Sequence, residues 1–316
     1  MSAGQGSRTL DGMSVSQAPA LGASVRAHDN RRGIRLMVGA MTLFVLNDAL
    51  VKRVSEDLPA GQLICIRGVM ASLLVWLVVS LGRHPVSVRQ LTSPWVVGRA
   101  VVDATASLLY LIALFNMPLG NAMAIGMASP LFISLLAVWL LGERVDRLRW
   151  IAIAVGFGGV LLVVKPSADG FNAWSLLALL ATFLHGVRDL ATRRIPAQVP
   201  SMLITLSTAL TVCVFAGVLS LFQGWHVPSP QSLLLLAAAS VLLASGYLLV
   251  IASVRTGELS AVAPFRYTGL LVGLIVGYLV WDEIPPLSSW MGIALLIVAG
   301  LYLLRRERVE RAAESS

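Results

Sequence analysis

The chain has 316 residues, of which 57% are hydrophobic and only 13% are charged, and its mean hydropathy is +0.82. Soluble domains carry about a quarter charged residues, so this chain has too few to cover a surface that faces water. The composition excludes an ordinary soluble protein and predicts an integral membrane protein. The net charge of +8 does not indicate a nucleic-acid partner, because Lys and Arg form short clusters between apolar runs.

The apolar runs predict ten membrane spans. Residues 1–32 are rich in Ser, Gly, Ala and Arg and lack an apolar core, which predicts a disordered cytoplasmic tail rather than a signal peptide. About 20 apolar residues cross the hydrocarbon as a helix, and unbroken Leu, Val and Ala runs favour helices over barrel strands. The predicted spans are 34–54, 60–82, 97–117, 121–142, 149–165, 173–194, 202–223, 232–254, 259–281 and 287–304.

Positive charge predicts the orientation of these spans, because cytoplasmic loops are enriched in Lys and Arg. With the N-terminus in the cytoplasm, all but five of the 24 Lys and Arg residues lie in inner loops, inner span ends or tails. The five exceptions are Lys52, Arg53 and Lys165 on the outer side and Arg67 and Arg266 within spans. We therefore expect both termini in the cytoplasm, with a C-terminal tail over 306–316.

An internal repeat divides the chain into two halves. Three sets of residues recur at offsets between 137 and 141 positions. They are Asp48-x-x-x-Lys52-Arg53 with Asp189-x-x-x-Arg193-Arg194, Glu143 and Trp150 with Glu283 and Trp290, and Tyr110 and Gly120 with Tyr247 and Gly257. We predict two five-helix repeats, over 33–166 and 167–305. Because five is odd, the second repeat enters the membrane inverted, which is an architecture of alternating-access transporters. A repeated structural bundle without transport is the alternative.

Two long segments resemble the paired EamA domains of the drug/metabolite transporter superfamily. They are "SPLFISLLAVWLLGERVDRLRWIAIAVGFGGVLLVV" in the first half and "APFRYTGLLVGLIVGYLVWDEIPPLSSWMGIALLIVAGLYLL" in the second, and the likeness extends over 34–305. The combination of "NDALVK", "LPAGQLICIRG", "RDLATRR" and "PFRYT" is similar to bacterial members described as riboflavin or S-adenosylmethionine uptake transporters.

The resemblance implies an all-α polytopic protein of the bacterial inner membrane that carries a small organic metabolite without a cofactor. Riboflavin uptake is the expected function, with S-adenosylmethionine uptake or export of amino acids or drug-like metabolites as alternatives. A membrane enzyme is disfavoured, because no nucleophile elbow, zinc-protease motif or phosphate loop occurs. A channel is the third class, and the inverted repeat favours a carrier over it.

Polar residues inside the spans are the candidate functional residues. A charge at mid-bilayer costs about 2.5–3.5 kcal/mol, so such side chains usually face a cavity or one another. Asn47, Asp48 and Arg67 lie at similar depths, roughly 9 Å from the outer ends of their spans. The inner set consists of Asp103, His185, Asp189 and Arg266, and Arg188 lies next to Asp189 at the end of the same span.

Two interpretations of these charges remain open. In the first, Asp48 with Arg67 closes the outer side, and Asp189 or Asp103 with Arg266 closes the inner side. In the second, Asp48 pairs with Lys52 and Asp189 with Arg193, as i,i+4 neighbours on one helix. Only the first accounts for both in-span arginines. The three carboxylates and His185 are also candidate proton carriers if transport is proton-coupled. A histidine in such a span is, however, more often a hydrogen-bonded packing residue.

Several apolar-span residues have either a functional or a packing interpretation. Tyr110 and Tyr267, the latter next to Arg266, suit stacking with a flat polar substrate. Cys65 and Cys213 lack metal or redox spacing and are predicted to be small packing residues.

Proline and small residues predict local backbone features in three spans. Pro130 and Pro264 predict kinks, because proline cannot donate a backbone hydrogen bond. Ala152 and Gly156 predict a close helix contact, either within the chain or in a homodimer.

Overall fold

The computed structural model describes residues 18–81, 88–141, 147–164, 173–192, 194–196, 198–256 and 259–314. All regular secondary structure in this part of the chain is helical. The helices are α1 (Ala18–Val54), α2 (Ala60–Leu81), α3 (Val88–Leu91), α4 (Pro94–Phe115), α5 (Leu119–Gly126), α6 (Ser129–Leu141), α7 (Arg147–Val164), α8 (Ala173–Thr192), α9 (Ser201–Gln223), α10 (Pro230–Thr256), α11 (Leu259–Val262), a 3₁₀ helix (Ala263–Tyr267), α12 (Thr268–Trp281) and α13 (Leu287–Glu314).

These helices form the ten predicted spans, with α5 and α6 together making the fourth span and α11 through α12 the ninth. Eight segments of the described residues are long and apolar enough to cross a membrane. The other two are α7, whose apolar part is the shorter stretch Trp150–Val164, and α8, which carries Arg188 and Asp189 near its end. The prediction of an all-α polytopic membrane protein is confirmed.

The first and last helices extend beyond the apolar runs. α1 begins at Ala18, and α13 continues to Glu314. Both helices therefore enter the segments 1–32 and 306–316, for which we predicted tails. Both extensions are rich in Ala and Arg, which favour helix once the adjoining membrane segment has nucleated it. Residues 1–17 lie outside the described part of the chain.

Proline interrupts the fourth and ninth spans as predicted. α5 ends at Gly126, four residues before Pro130. In a continuous helix, the proline ring would clash with the Gly126 carbonyl group. The backbone of Met127 and Ala128 then turns through i→i−3 hydrogen bonds before α6 begins. Pro264 lies in the 3₁₀ segment between α11 and α12. The two interruptions occur in corresponding spans of the two halves.

The packing of the helices follows the internal repeat. α1 packs most extensively against α10. The repeat counterpart of α1 is α8 and that of α10 is α4, and these two helices also pack together. α2 and α9 are repeat counterparts of each other, as are α7 and α13, and both pairs also make extensive contacts. The two halves therefore interlock, since the largest helix contacts join one half to the other.

Small residues permit the closest of these contacts. A side chain on Gly159 would begin 2.7 Å from the carbonyl oxygen of Gly292, so α7 and α13 cross with their backbones in contact. Ala152 and Gly156 are buried on the same helix, and Gly156 lies against Leu131. For this pair, the close contact is therefore within the chain.

Candidate functional site

A cavity of about 400 Å³ lies inside the bundle, between α1, α2, α4, α8, α9 and α10. It extends from Asn47 and Arg67 to Arg99 and Thr192, where Thr192 is exposed. We call this side of the bundle the Arg99 end. The opposite side, which holds Lys52, Gln62, Met117, His226 and Glu283, is called the sealed end.

The internal repeat places matched side chains on the cavity wall. The four matched pairs are Asn47 with Arg188, Asp48 with Asp189, Arg67 with Thr208, and Tyr110 with Tyr247. Matched positions line the same cavity because the two repeats contribute equivalent helices to its wall. The pairs are chemically unequal at two positions, Asn47 with Arg188 and Arg67 with Thr208, so equivalent positions of the two halves carry different charges.

Asn47 joins the polar groups at the deep part of the cavity. Its amide nitrogen donates to Asp48 Oδ1 over 2.8 Å, and its amide oxygen accepts from Arg67 Nη1 over 3.3 Å. The Tyr110 hydroxyl donates to Asp48 Oδ2 over 3.1 Å. The expected direct contact between Asp48 and Arg67 is absent among the described residues, because Asn47 lies between them.

Asp103 is the centre of a second cluster, nearer the Arg99 end. Its carboxylate lies 3.1 Å from Arg99 Nη1, 2.9 Å from Arg188 Nη1 and 4.0 Å from His185 Nε2. Arg188 also contacts Asp189 over 2.8 Å, so one guanidinium bridges two carboxylates. These contacts join α4 to α8, and therefore the first half to the second.

Arg266 and Tyr267 lie apart from this cavity. Arg266 is exposed and has Asp189 and Arg188 as charged neighbours, but no described carboxylate lies within 4.0 Å of it. The predicted inner pairing with Arg266 is therefore wrong for this conformation, because Arg188 and Arg99 already bind the two inner carboxylates. Tyr267 is buried, and its hydroxyl packs against the backbone of Gly300 instead of a ligand space.

A largely buried ion pair closes the sealed end, and the spacing of the charges in the sequence did not predict it. Lys52 Nζ lies 2.7 Å from Glu283 Oε1 and 2.8 Å from the carbonyl oxygen of Met117. The other carboxylate oxygen of Glu283 accepts the backbone N–H of Leu119 over 2.7 Å. The local pair of Lys52 with Asp48 is thus not formed, and Lys52 is buried, with only 7% of it exposed.

Local backbone geometry places Glu283 in this contact. α12 ends at Trp281, and the next residue, Asp282, has a φ of 54°, which reverses the chain in the left-handed conformation. The Glu283 N–H then bonds to the Gly277 carbonyl over 3.1 Å, and Pro285 and Pro286 prevent continuation of the helix. Glu283 is therefore held at a fixed turn. Its repeat counterpart, Glu143, and the counterpart of Lys52, Arg193, lie outside the described residues.

A second set of contacts at the sealed end joins α2 to α9 and the loop after it. Gln62 donates to the His226 carbonyl over 2.6 Å and accepts the His226 N–H over 2.9 Å. The Gly61 N–H donates to the Gln223 side chain over 2.7 Å. Polar contacts between the two halves therefore close the bundle at the sealed end.

The structure thus brings seven of the nine predicted site residues to one cavity: Asn47, Asp48, Arg67, Asp103, Tyr110, His185 and Asp189. The same wall also holds Arg188, to which the sequence assigned no role, and Arg99, Thr208 and Tyr247, which were not among the predicted site residues. The repeat already contained a signal for three of them, since Arg188, Thr208 and Tyr247 are the counterparts of Asn47, Arg67 and Tyr110. In the described residues no group of three or more His, Cys, Asp or Glu side chains is arranged to hold a metal ion.

Comparison with known proteins matches both halves to one family. The model of the EamA-like transporter family matches residues 31–165 and again residues 172–306. A solved chain titled "Crystal structure of protein" shares the fold, with a TM-score of 0.60 at 20% identity, over 88% of this chain and 98% of its own.

Three similar relatives have transporter names with different substrates. The chain is 31% identical over 209 residues to a riboflavin transporter of Rhizobium johnstonii, covering 66% of this chain and 69% of the relative. It is 26% identical over 280 residues to the pseudopaline exporter CntI of Pseudomonas aeruginosa, covering 88% and 98%. It is 29% identical over 194 residues to an S-adenosylmethionine uptake transporter of Rickettsia prowazekii, covering 60% and 65%.

The duplicated family match, the eight described helices that are long and apolar enough to cross a membrane, and the transporter names of the relatives agree on one class, which is not enzymatic. The chain belongs to the EamA-like transporter family and is a multi-pass membrane transporter of the drug/metabolite transporter superfamily.

Proposed function

We propose that the protein carries riboflavin into the cell by alternating access, with both termini in the cytoplasm. The observation that supports this proposal most directly is the composition of the cavity. Its wall carries three arginines and three aspartates, and two tyrosines occupy equivalent positions of the two halves. A polar, aromatic and uncharged molecule suits such a wall, because it can stack on the rings without adding unbalanced charge.

The charge balance also distinguishes riboflavin from S-adenosylmethionine, two of the substrates named for the relatives. Arg67, Arg99 and Arg188 balance Asp48, Asp103 and Asp189, so the wall is neutral when His185 is neutral. S-adenosylmethionine has a permanent sulfonium cation, and recognition of a cation favours excess negative charge at its site. The riboflavin isoalloxazine and ribityl groups require hydrogen-bond partners and rings, which the cavity supplies.

Both tyrosine rings are placed to meet a ligand. Tyr247 lines the cavity and is 45% exposed, although it lies in a transmembrane helix. The Tyr247 and Phe44 rings are packed edge-on, with their centroids 5.2 Å apart, and this contact orients the Tyr247 ring. The Tyr110 hydroxyl donates to Asp48, and the Tyr110 ring lies edge-on to the His185 ring, with their centroids 6.4 Å apart. Preorganised rings lose little conformational entropy when a flat ligand binds.

One-sided access supports the alternating-access part of the proposal. The cavity extends to the Arg99 end, while ion-pair and hydrogen-bond contacts close the sealed end. In the proposed orientation, this is a conformation that faces the cytoplasm. Release of the sealed-end contacts and closure at the Arg99 end would give the opposite conformation, as the inverted repeat allows.

Riboflavin uptake is tested in a bacterial riboflavin auxotroph that lacks its own importer. We expect the expressed protein to rescue growth at low external riboflavin and to show counterflow of labelled riboflavin in proteoliposomes. A Tyr247→Leu variant should lose uptake. The matched control is Tyr278→Leu, because Tyr278 is also in a transmembrane helix but is 53% exposed and does not line the cavity. No rescue by well-expressed protein would remove riboflavin as the substrate.

S-adenosylmethionine uptake and metabolite export are the alternatives that the same assays separate. Counterflow of labelled S-adenosylmethionine in place of riboflavin would reassign the substrate. Accumulation of labelled riboflavin inside cells only when the gene is deleted would reverse the direction.

A further inference from the structure

The two cysteines of the chain meet in the structure. Cys65 lies on α2 in the first half and Cys213 on α9 in the second, and the sequence contains no other cysteine. Their Sγ atoms are 4.0 Å apart, and both thiols are free. The Cys213 thiol also donates to the Cys65 carbonyl oxygen over 3.8 Å. A role as small packing residues accounts for their size, but leaves unexplained that they face each other across the two halves.

Glycines next to the thiols bring α2 and α9 into close contact. A Cβ atom on Gly68 would lie 3.1 Å from the Cβ atom of Cys213, which is tighter than an ordinary contact. A Cβ atom on Gly217 would lie 3.6 Å from the Cys65 sulfur. The absence of side chains at these two positions allows the helices to approach until the sulfurs are neighbours.

The thiol pair lies between the cavity and the sealed end. On α2 the cavity wall begins at Arg67 and Gly68, and on α9 it ends at Val212. Beyond the thiols, the bonds of Gly61 and Gln62 join α2 to the end of α9 and its loop. A cavity that opens to this side must therefore separate α2 from α9 along the contact that contains both cysteines.

We propose that Cys65 and Cys213 form a thiol–disulfide lock on the sealed end. A two-electron oxidant of the quinone or diazene class breaks both S–H bonds and joins the two sulfurs in one S–S bond. The two electrons and two protons reduce the quinone to a hydroquinone, or the diazene to a hydrazine. The sulfur separation falls from 4.0 Å to about 2.05 Å, which rotation of the two side chains and a slight helix shift can supply.

The disulfide then ties α2 of the first half to α9 of the second. The oxidised protein keeps its cavity open at the Arg99 end and cannot open the sealed end, so transport stops. This consequence rests on the alternating access in the proposed function, whereas bond formation between the two sulfurs does not.

The test uses the full chain in proteoliposomes, with diamide as the oxidant and labelled riboflavin as the transported probe. We expect mass spectrometry to detect the Cys65 and Cys213 peptides joined by a disulfide. Riboflavin counterflow should be lost on oxidation and should return with dithiothreitol. Cys65→Ser and Cys213→Ser cannot form the bond, so the counterflow of each variant should be the same with and without diamide.

Hydrogen–deuterium exchange provides a readout that does not depend on the substrate. Oxidation should increase amide protection over residues 61–68 and 213–223 in the native chain and leave both serine variants unchanged, because protection measures local opening.

The outcomes separate the lock from the proposed substrate. Absence of the joined peptides after diamide treatment overturns the lock, as does their formation without a change in either counterflow or exchange. If neither the reduced protein nor the serine variants carry riboflavin, the substrate is wrong, and the exchange measurement alone then decides the lock. Joined peptides with increased protection would support it even in that case.

Discussion

The Lys52 ammonium and the Glu283 carboxylate lie 2.7 Å apart at the sealed end, although 231 positions separate the two residues in the sequence. Both groups have further partners, namely the Met117 carbonyl and the Leu119 N–H. The pair thus connects the end of α1, the turn before α5 and the end of α12. Three segments from both halves therefore meet at one largely buried contact.

Loss of one partner of this pair should destabilise the protein. Removing one member of a buried pair leaves the other charge unpaired and costs about 3–5 kcal/mol. We expect Lys52→Met to lower the thermal unfolding temperature in detergent strongly, and the double variant with Glu283→Gln to restore part of the loss. Arg53→Met is the control, because its partner Glu56 and Arg53 itself are about half exposed and such pairs contribute about 0–1 kcal/mol.

Equal destabilisation by Lys52→Met and Arg53→Met would contradict the assignment of a buried structural pair. Independent, additive effects of Lys52→Met and Glu283→Gln would also contradict it, because residues in direct contact are expected to couple.

Replacement of Asn47 should impair transport by disconnecting Arg67 from Asp48. Asn47→Leu keeps the approximate volume but removes both side-chain hydrogen bonds, and each buried group left unsatisfied costs about 1–3 kcal/mol. We expect a roughly tenfold or larger fall in riboflavin uptake at equal expression, measured as initial rates. Asn116→Leu should leave uptake unchanged, because Asn116 is exposed at the end of α4 and bonds only within its own turn.

The two inner carboxylates should differ in their contribution to stability. Asp103→Asn leaves Arg99 and Arg188 facing a neutral amide, and only 8% of the Asp103 side chain is exposed. Asp189→Asn makes the same chemical change, but 40% of the Asp189 side chain is exposed. We expect a loss of about 3–5 kcal/mol for Asp103→Asn and about 1 kcal/mol or less for Asp189→Asn. Unfolding in denaturant measures both, and a larger loss for Asp189→Asn would contradict the central role of Asp103.

The turn after α12 can be tested through Asp282. A non-glycine residue with φ near 54° is strained by about 1 kcal/mol, and glycine removes this strain. Asp282→Gly should therefore preserve or slightly raise the unfolding temperature, whereas Asp282→Val should lower it, because a β-branched residue resists this conformation. A higher unfolding temperature for the valine variant would show that the turn before Glu283 does not require the left-handed conformation.

Sequence alone located the spans and the repeat for a simple physical reason. Within a bilayer each backbone polar group must bond inside its own segment, so apolar run length directly indicates a helix. Pro130 and Pro264 predicted the interruptions in the same way, because the missing N–H acts on the local backbone. These features depend on neighbours within a few residues and require no knowledge of the packing.

The partners of the charged residues required the tertiary structure. From spacing alone, Asp48 had Lys52 as its obvious neighbour, but Lys52 bonds to Glu283 and Asp48 to Asn47 and Tyr110. A side chain in a low-dielectric interior takes whichever partner is nearest in space, and helix packing decides this. Similarly, Arg266 and Tyr267 had the residue types of a binding site, but their segment lies outside the cavity wall.

The sequence by itself thus determined that the chain is a membrane protein of two five-helix halves with polar residues at matched depths. Hydrophobicity, helix length and duplication can be recognised from the order of the residues alone, without knowledge of how the helices pack. The tertiary structure decided which polar residues meet, which end of the bundle is closed, and that Cys65 faces Cys213. These relationships join residues far apart in sequence, because the two halves interlock and place their contacts between them.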